Sequence, residues 1–212
     1  GDPVATLMWN QPEHVELYFA VPAMGAVLHT LNPRLHRDEL GFIVNDAEDR
    51  AIVVDESLLE VFESFRESRD FEHVIVVRRS EEELPNGYLD YEALIADAEP
   101  MQWPPDDERW ASAMCYTSGT TGRPKGVVYS HRSQVLHSLV AALPDVKDVS
   151  RRDTLLPVVP MFHANAWGLI YTAALVGAGL VLPGPRLDAE SVLDLLADEH
   201  VTITAGVPTV WM

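Results

Sequence analysis

Residues 117–125 read Thr117-Ser118-Gly119-Thr120-Thr121-Gly122-Arg123-Pro124-Lys125, and Gly126 follows. The glycines let the backbone turn tightly and bring its N–H groups close to an anion. The hydroxyls of Thr117, Ser118, Thr120 and Thr121 can donate hydrogen bonds to phosphate oxygens. Lys125 adds one mobile positive charge at the end of the stretch. Such a set suits a polyphosphate that must be held and then released. A Gly/Ser/Thr stretch also fits a plain surface loop, but residues 117–122 contain nothing else, and a lysine closes the run. Two better-known phosphate motifs fail on spacing. A P-loop needs four residues between its glycines and a Ser or Thr after its lysine. Here two residues separate Gly119 from Gly122, and Gly126 follows Lys125. No Gly-x-Gly-x-x-Gly follows a strand either, so a dinucleotide fingerprint is absent.

The elements that must carry this loop alternate short β-rich runs with amphipathic stretches, the pattern of crossover units and a mainly parallel sheet. The expected class is therefore α/β. Helices are expected over 13–28 (disturbed by Pro22), 37–45, 58–69, 132–143, 165–177 and 188–198, the last with Asp188 as N-cap. Strands are expected over 51–54, 74–77, 111–116, 126–129, 155–159, 180–182 and 201–205. The acidic, Pro-containing stretch 80–110 reads as a surface connection with one short helix around 91–98. The chain starts within a strand-to-helix unit and stops at Pro208-Thr209-Val210-Trp211-Met212, the first turn of a helix. Both features suggest a chain cut at its two ends.

Composition narrows the setting. With 212 residues, 47% of them apolar, the chain can bury a substantial core as one domain or two small ones. No apolar run reaches the ~18–20 residues of a membrane helix. The nearest, 164–182, is interrupted by Trp167, Gly168, Gly177 and Gly179. Gly1-Asp2-Pro3 opens a polar, acidic segment rather than a signal peptide. The lone Cys115 has no partner for a disulfide and sits among apolar neighbours, which reads as a buried thiol in a cytoplasmic protein. Thirty-three acidic residues face fifteen basic ones, for a net charge of -18, and only Lys125 and Lys147 are lysines. That balance excludes nucleic acid and anionic membrane as general partners. It fits a high-GC preference for arginine with an acidic surface, or a salt-rich cytoplasm in which bulk ions screen the carboxylates. The halophilic origin is taken as the expectation.

The stretch from Tyr116 to Gly126 resembles the phosphate-binding motif of the adenylate-forming superfamily, which includes acyl- and aryl-CoA synthetases, peptide-synthetase adenylation domains and beetle luciferases. A second segment, Pro160-Met161-Phe162-His163-Ala164-Asn165-Ala166-Trp167-Gly168-Leu169, looks like the family's aromatic-histidine motif. Tyr129-Ser130-His131-Arg132-Ser133, Leu182-Pro183-Gly184-Pro185-Arg186 and Thr204-Ala205-Gly206-Val207-Pro208-Thr209-Val210-Trp211 are further matches, similar to bacterial and archaeal fatty-acyl-CoA synthetases. The resemblance covers essentially the whole chain and implies part of the family's large N-terminal, AMP-binding domain. The extreme N-terminus and the whole C-terminal domain are expected to be absent.

By that resemblance, Thr117, Ser118, Gly119, Thr120, Thr121, Gly122 and Lys125 hold the phosphates of ATP, and Thr117 helps to coordinate Mg2+. His163 and Ala164 lie near the nucleotide, and Trp167 gates the acyl tunnel. Read alone, His163 is a core histidine and Trp167 is core packing. The spacing of His131, His137 and Cys115 fits no metal or nucleophile pattern, and they receive no site. The implied parent enzyme takes a medium- or long-chain fatty acid, ATP and CoA. It makes an acyl-adenylate and then a thioester, and homodimerisation is left open. The 212 residues by themselves are expected to be inactive, because the resemblance implies a carboxylate for Mg2+ and a catalytic lysine further along. Two rival classes remain: an aryl- or short-chain-acyl-activating enzyme, and a non-catalytic nucleotide-binding remnant.

Overall fold

The structure, a computed structural model, describes residues 1–96, 98–101, 107–117 and 122–211. It is an α/β fold built on a seven-stranded sheet, as the alternation of elements requires. Its strands are β1 (Pro3–Leu7), β2 (Val27–Thr30), β3 (Ala51–Asp55), β4 (His73–Val77), β5 (Leu89–Asp90), β6 (Ala111–Thr117) and β7 (Lys125–Ser130). Their order is β5-β4-β3-β1-β2-β6-β7, and every pairing is parallel except β6 with β7. A second, three-stranded parallel sheet holds β8 (Thr154–Pro157) between β10 (Ile203–Ala205) and β9 (Gly179–Leu180). The sequence gives no hint that the later strands form a sheet of their own.

The period of two in the central strands divides the core. Ala5, Leu7, Ile52, Val54, Val74 and Val76 face one hydrophobic cluster with α2 (Arg37–Asp46) and α3 (Leu59–Glu63). Leu28, Val53 and Val77 face the other cluster, with α1 (Pro12–Ala23) and residues of the second sheet. Strands buried on both faces tend to read as continuous apolar runs, and β3 and β4 do; β2 is buried as well but carries His29, whose Nδ1 meets the Asp49 carboxylate at 2.8 Å. The remaining helices are α4 (Tyr91–Ala96), α5 (His131–Ala141), the single turn α6 (Ala164–Trp167), α7 (Leu169–Val176) and α8 (Ala189–Asp198). Asp188 caps α8, accepting from Ser191 N at 3.0 Å. No helix of the described residues is long and apolar enough to cross a membrane.

Three expected helices are corrected. Residues 13–28 are not one helix: α1 ends at Ala23, and Val27–Thr30 is an interior strand. The stop is a Schellman closure, with Ala26 N bonded to Val21 O, Gly25 N bonded to Pro22 O, and Gly25 at φ 83. Residues 58–69 are broken. A 3-10 turn (Glu56–Leu58), α3 and a second 3-10 turn (Arg66–Ser68) replace the helix. Ser64 Oγ donates to Val61 O at 2.6 Å, and Phe62 and Phe65 enter the core edge to face, 5.5 Å apart. Residues 165–177 form α7 only from Leu169, after the left-handed turn described below. In the stretch 80–110, β5 pairs with β4, and Tyr88 and Tyr91 are buried.

Candidate functional site

The phosphate-loop candidates sit on the hairpin between β6 and β7, at the carboxyl end of the parallel sheet. Thr117 and Lys125 are register partners and close the loop from its two sides. Thr117, Gly122 and Lys125 are exposed. Ser118, Gly119, Thr120 and Thr121 lie outside the described residues. Gly122 holds φ 97, a conformation that an L side chain resists. A Cβ on Gly126 would come within 3.2 Å of the Tyr116 ring, so glycine lets the hairpin close over that ring. Two contacts fasten the hairpin to α2: Tyr116 OH donates to Asp46 Oδ2 at 2.7 Å, and the Arg123 guanidinium lies 5.5 Å from the Phe42 ring centre. Among the described residues no group of three His, Cys, Asp or Glu side chains is placed to hold a metal. The exposed Thr117 hydroxyl is a hard oxygen donor, the kind of ligand that Mg2+ takes.

The aromatic-histidine segment follows β8. Ala164, Asn165, Ala166, Trp167 and Gly168 have φ of 44, 51, 48, 54 and 70. This is a full left-handed turn, and each non-glycine residue in it costs about 1–2 kcal/mol. Two backbone bonds brace it, Ala166 N to His163 O at 3.2 Å and Gly168 N to Asn165 O at 2.9 Å. Such an outlier persists only where the surroundings enforce it, and outliers of this kind cluster at binding sites. His163 is exposed at the start of the turn, outside the core, while Phe162 is buried edge to face against Trp9.

Trp167 is 39% exposed and stands between two cavities. One, about 470 Å³, is lined by Tyr129, His137, Ala164 and Asn165 among others. The second, about 460 Å³, is lined by Lys147, Leu169, Ile203 and Trp211 among others. Lys147 Nζ donates to Trp167 O at 3.2 Å from the second cavity. On the side of the first, the His137 ring fills the space beside Gly168, where a Cβ would meet Nδ1 at 2.6 Å. Burial, helped by Lys147, lowers the His137 pKa. Ala164 and Trp167 thus share one cavity with Tyr129. Thr117 and Lys125 lie at the other end of the same hairpin, roughly 13 Å away at about 3.3 Å per residue. Cys115 is buried, and burial pushes its thiol pKa up, which disfavours the reactive thiolate.

Sequence reasoning passed over two residues here. Asn10, buried after β1, donates from Nδ2 to Pro157 O and Val159 O at 2.8 and 3.0 Å and accepts from Met161 N at 2.7 Å. It therefore ties the large sheet to the small one and fixes the start of the 161–168 segment. Its only signal is an asparagine between an apolar strand and a Pro-initiated helix. Asn165 is 2% exposed and lines the 470 Å³ cavity; the Tyr18 hydroxyl lies near its side chain, but neither of its polar atoms makes a well-formed hydrogen bond among the described residues. A buried amide left unpaired calls for an explanation, and a ligand in that cavity supplies one.

Comparison with known proteins places this architecture. A long-chain-fatty-acid–CoA ligase of Thermus thermophilus is 56% identical over 100% of this chain and 38% of its own length. A medium-chain-fatty-acid–CoA ligase of Ectopseudomonas oleovorans is 48% identical over 100% of this chain and 40% of its own. The chain thus spans about two-fifths of the curated relatives it matches. An anthranilate CoA ligase solved with anthranoyl-AMP superposes with a TM-score of 0.89 at 25% identity, covering 100% of this chain and 41% of that one. A long-chain-fatty-acid-CoA ligase of Archaeoglobus fulgidus gives 0.85 at 27%, covering 99% and 40%. The family model for the AMP-binding enzymes matches residues 1–212, and the chain belongs to that family.

Proposed function

We propose that this chain forms the phosphate-binding and acyl-gating part of an ATP-dependent fatty-acid–CoA ligase acting on medium- or long-chain acids. The observation that carries the reading is the pairing of Thr117 with Lys125 at the mouth of a Gly/Ser/Thr hairpin, on the carboxyl edge of a parallel sheet. The choice of acyl class rests on the 56% and 48% identities to long- and medium-chain ligases.

In the proposed reaction a fatty carboxylate oxygen bonds to the α-phosphorus of ATP while the bond to pyrophosphate breaks. A CoA thiol then attacks the acyl carbon, AMP leaves, and the thiol proton goes to solvent. In-line displacement at phosphorus asks for positioning and charge neutralisation more than for a protein nucleophile. Thr117, Gly122 and Lys125, with Ser118, Gly119, Thr120 and Thr121, would hold the departing pyrophosphate. Lys125 would balance the charge that develops there. Mg2+, when bound, supplies further neutralisation, with the Thr117 hydroxyl as its protein oxygen. His163 and Ala164 would border the nucleotide. Trp167, between two cavities, would gate the acyl chain, and its strained turn supports a residue that must change position. The orphaned amide of Asn165 supports a ligand beside it. A cytoplasmic location and adaptation to high salt belong to the same proposal.

The test is pyrophosphate exchange into ATP by a full-length protein that contains this chain. Exchange should depend on octanoate or palmitate, and the 212 residues by themselves should stay at background. Exchange supported by acetate or benzoate but not by the longer acids would shift the reading to a short-chain or aryl-activating enzyme. No exchange with any acid would favour a non-catalytic nucleotide-binding protein.

A further inference from the structure

Neighbouring strands β1 and β3 send the chain to opposite faces of the large sheet. From β1 it passes to α1, on the side of one core cluster, and from β3 to α3, on the side of the other. In a doubly wound sheet such a reversal opens a crevice beyond the carboxyl ends of the two strands, and ligands bind there. A cavity of about 310 Å³ occupies that position, at the small end of the range for small-molecule sites. Trp9 and Gln11 line it from the end of β1, Asp55 and Ser57 from the end of β3, and Pro183 and Pro185 from above.

Most of its polar groups are already engaged. Asp55 accepts from Ser57 N and from Arg79 Nε, each at 3.0 Å, and Arg79 gives its two remaining nitrogens to Glu13 at 2.8 and 3.0 Å. The Trp9 indole N–H donates to Ser57 Oγ at 3.0 Å. Gln11 is the exception. It is 5% exposed, it does not cap the helix it precedes, and its amide Nε2 has no partner among the described residues. Leaving a buried donor unpaired costs about 1–3 kcal/mol.

We propose that this crevice binds a small uncharged molecule carrying an amide or carbonyl group. The carbonyl oxygen accepts from Gln11 Nε2, and the apolar body of the molecule lies against Trp9 and the two prolines. Neutrality follows from the charges around the site: Asp55 and Glu13 outnumber Arg79, so an anion is repelled. A cation finds the Asp55 carboxylate already taken. The inference stands independently of the ligase reading.

The probe is benzamide, titrated into the nitrogen-15-labelled chain while the Trp9 indole N–H and the Gln11 side-chain amide are followed by NMR. Saturable shifts at both groups are expected. Benzoate, with the same shape and a charge, should bind at least about tenfold more weakly. Gln11→Met, which keeps the length and removes the donor, should weaken benzamide by about tenfold, the worth of one hydrogen bond. Gln11→Glu, which puts a carboxylate against the carbonyl, should abolish binding and serves if the Met variant does not fold. The benzamide–benzoate comparison needs no variant. An unsaturable response, as from a site that holds only water, overturns the proposal. So does equal binding of benzoate, or benzamide binding unchanged by Gln11→Met.

Discussion

Replacing Asn10 by alanine removes three hydrogen bonds at once, and all three hold main chain of another segment. Pro157 O and Val159 O lose their Nδ2 donor, and Met161 N loses Oδ1. Each buried backbone group left without a partner costs about 1–3 kcal/mol. Three at the low end give roughly 3 kcal/mol, and partial wetting of the void limits the total to roughly 5 kcal/mol. That is a large fraction of the 5–15 kcal/mol typical of a domain, so a cooperative shift to lower urea is expected. Thr204 offers an internal standard, because its Oγ1 makes a single bond, to Leu156 O at 2.9 Å. Thr204→Val should cost only about 1 kcal/mol. Asn10→Asp can still accept from Met161 N but cannot donate to the two carbonyls, and it should fall close to Asn10→Ala. Urea unfolding of the three variants, followed by circular dichroism, checks the ranking. An Asn10→Ala cost no greater than that of Thr204→Val would refute the idea that this side chain joins the two sheets.

Other consequences can be read on the same protein or its full-length form. Trp167→Ala in the full-length protein should change the dependence of the proposed adenylation on acyl chain length; an unchanged profile with a lower melting temperature would return Trp167 to a packing role. Burial, against an opposing bond to Trp9 O, holds the His14 pKa at about 4, below the usual 6.5. The unfolded chain therefore takes up a proton that the folded one refuses, and stability present above pH 6.5 drains away as pH falls toward 4, by about 3 kcal/mol. His14→Gln should flatten that part of the stability–pH curve, and an identical slope in the variant would contradict the assignment. With a net charge of -18, the midpoint of unfolding should rise from low salt to molar KCl, as the Debye length falls from about 10 to about 3 Å. A midpoint that hardly moves would leave the halophilic reading without support.

The parts of the fold carried by local pattern were readable. The apolar runs of β3 and β4 and the cap at Asp188 are local signals, and each became the expected element. The end of α1 is also written locally, in Gly25, but the apolar stretch runs on past it into β2 and hides the stop. The left-handed turn at 164–168 has only a weak signature, in Asn165 and Gly168, because alanine and tryptophan resist that conformation. Contacts such as Lys147 to Trp167 O, and the strands on either side, enforce it from a distance. Asn10 is the same case in reverse: its partners lie about 150 residues away in sequence, and no local spacing announces them. The glycines and hydroxyls of residues 117–122 are the local signal behind the proposed anion site, whereas the pairing of Thr117 with Lys125 depends on the register of β6 with β7.

The most direct test of the proposed phosphate role is single-turnover adenylation by the full-length protein with Lys125→Ala, set beside Cys115→Ser. Lys125 stands exposed at the mouth of the hairpin, opposite Thr117, whereas the Cys115 thiol is buried beneath it. Loss of one preorganised charge contact should slow adenylate formation by roughly 10²–10³-fold, while Cys115→Ser should leave the rate within a few-fold of the native enzyme. A Lys125→Ala enzyme that forms acyl-adenylate at the native rate would contradict the assignment of this hairpin to the phosphates of ATP.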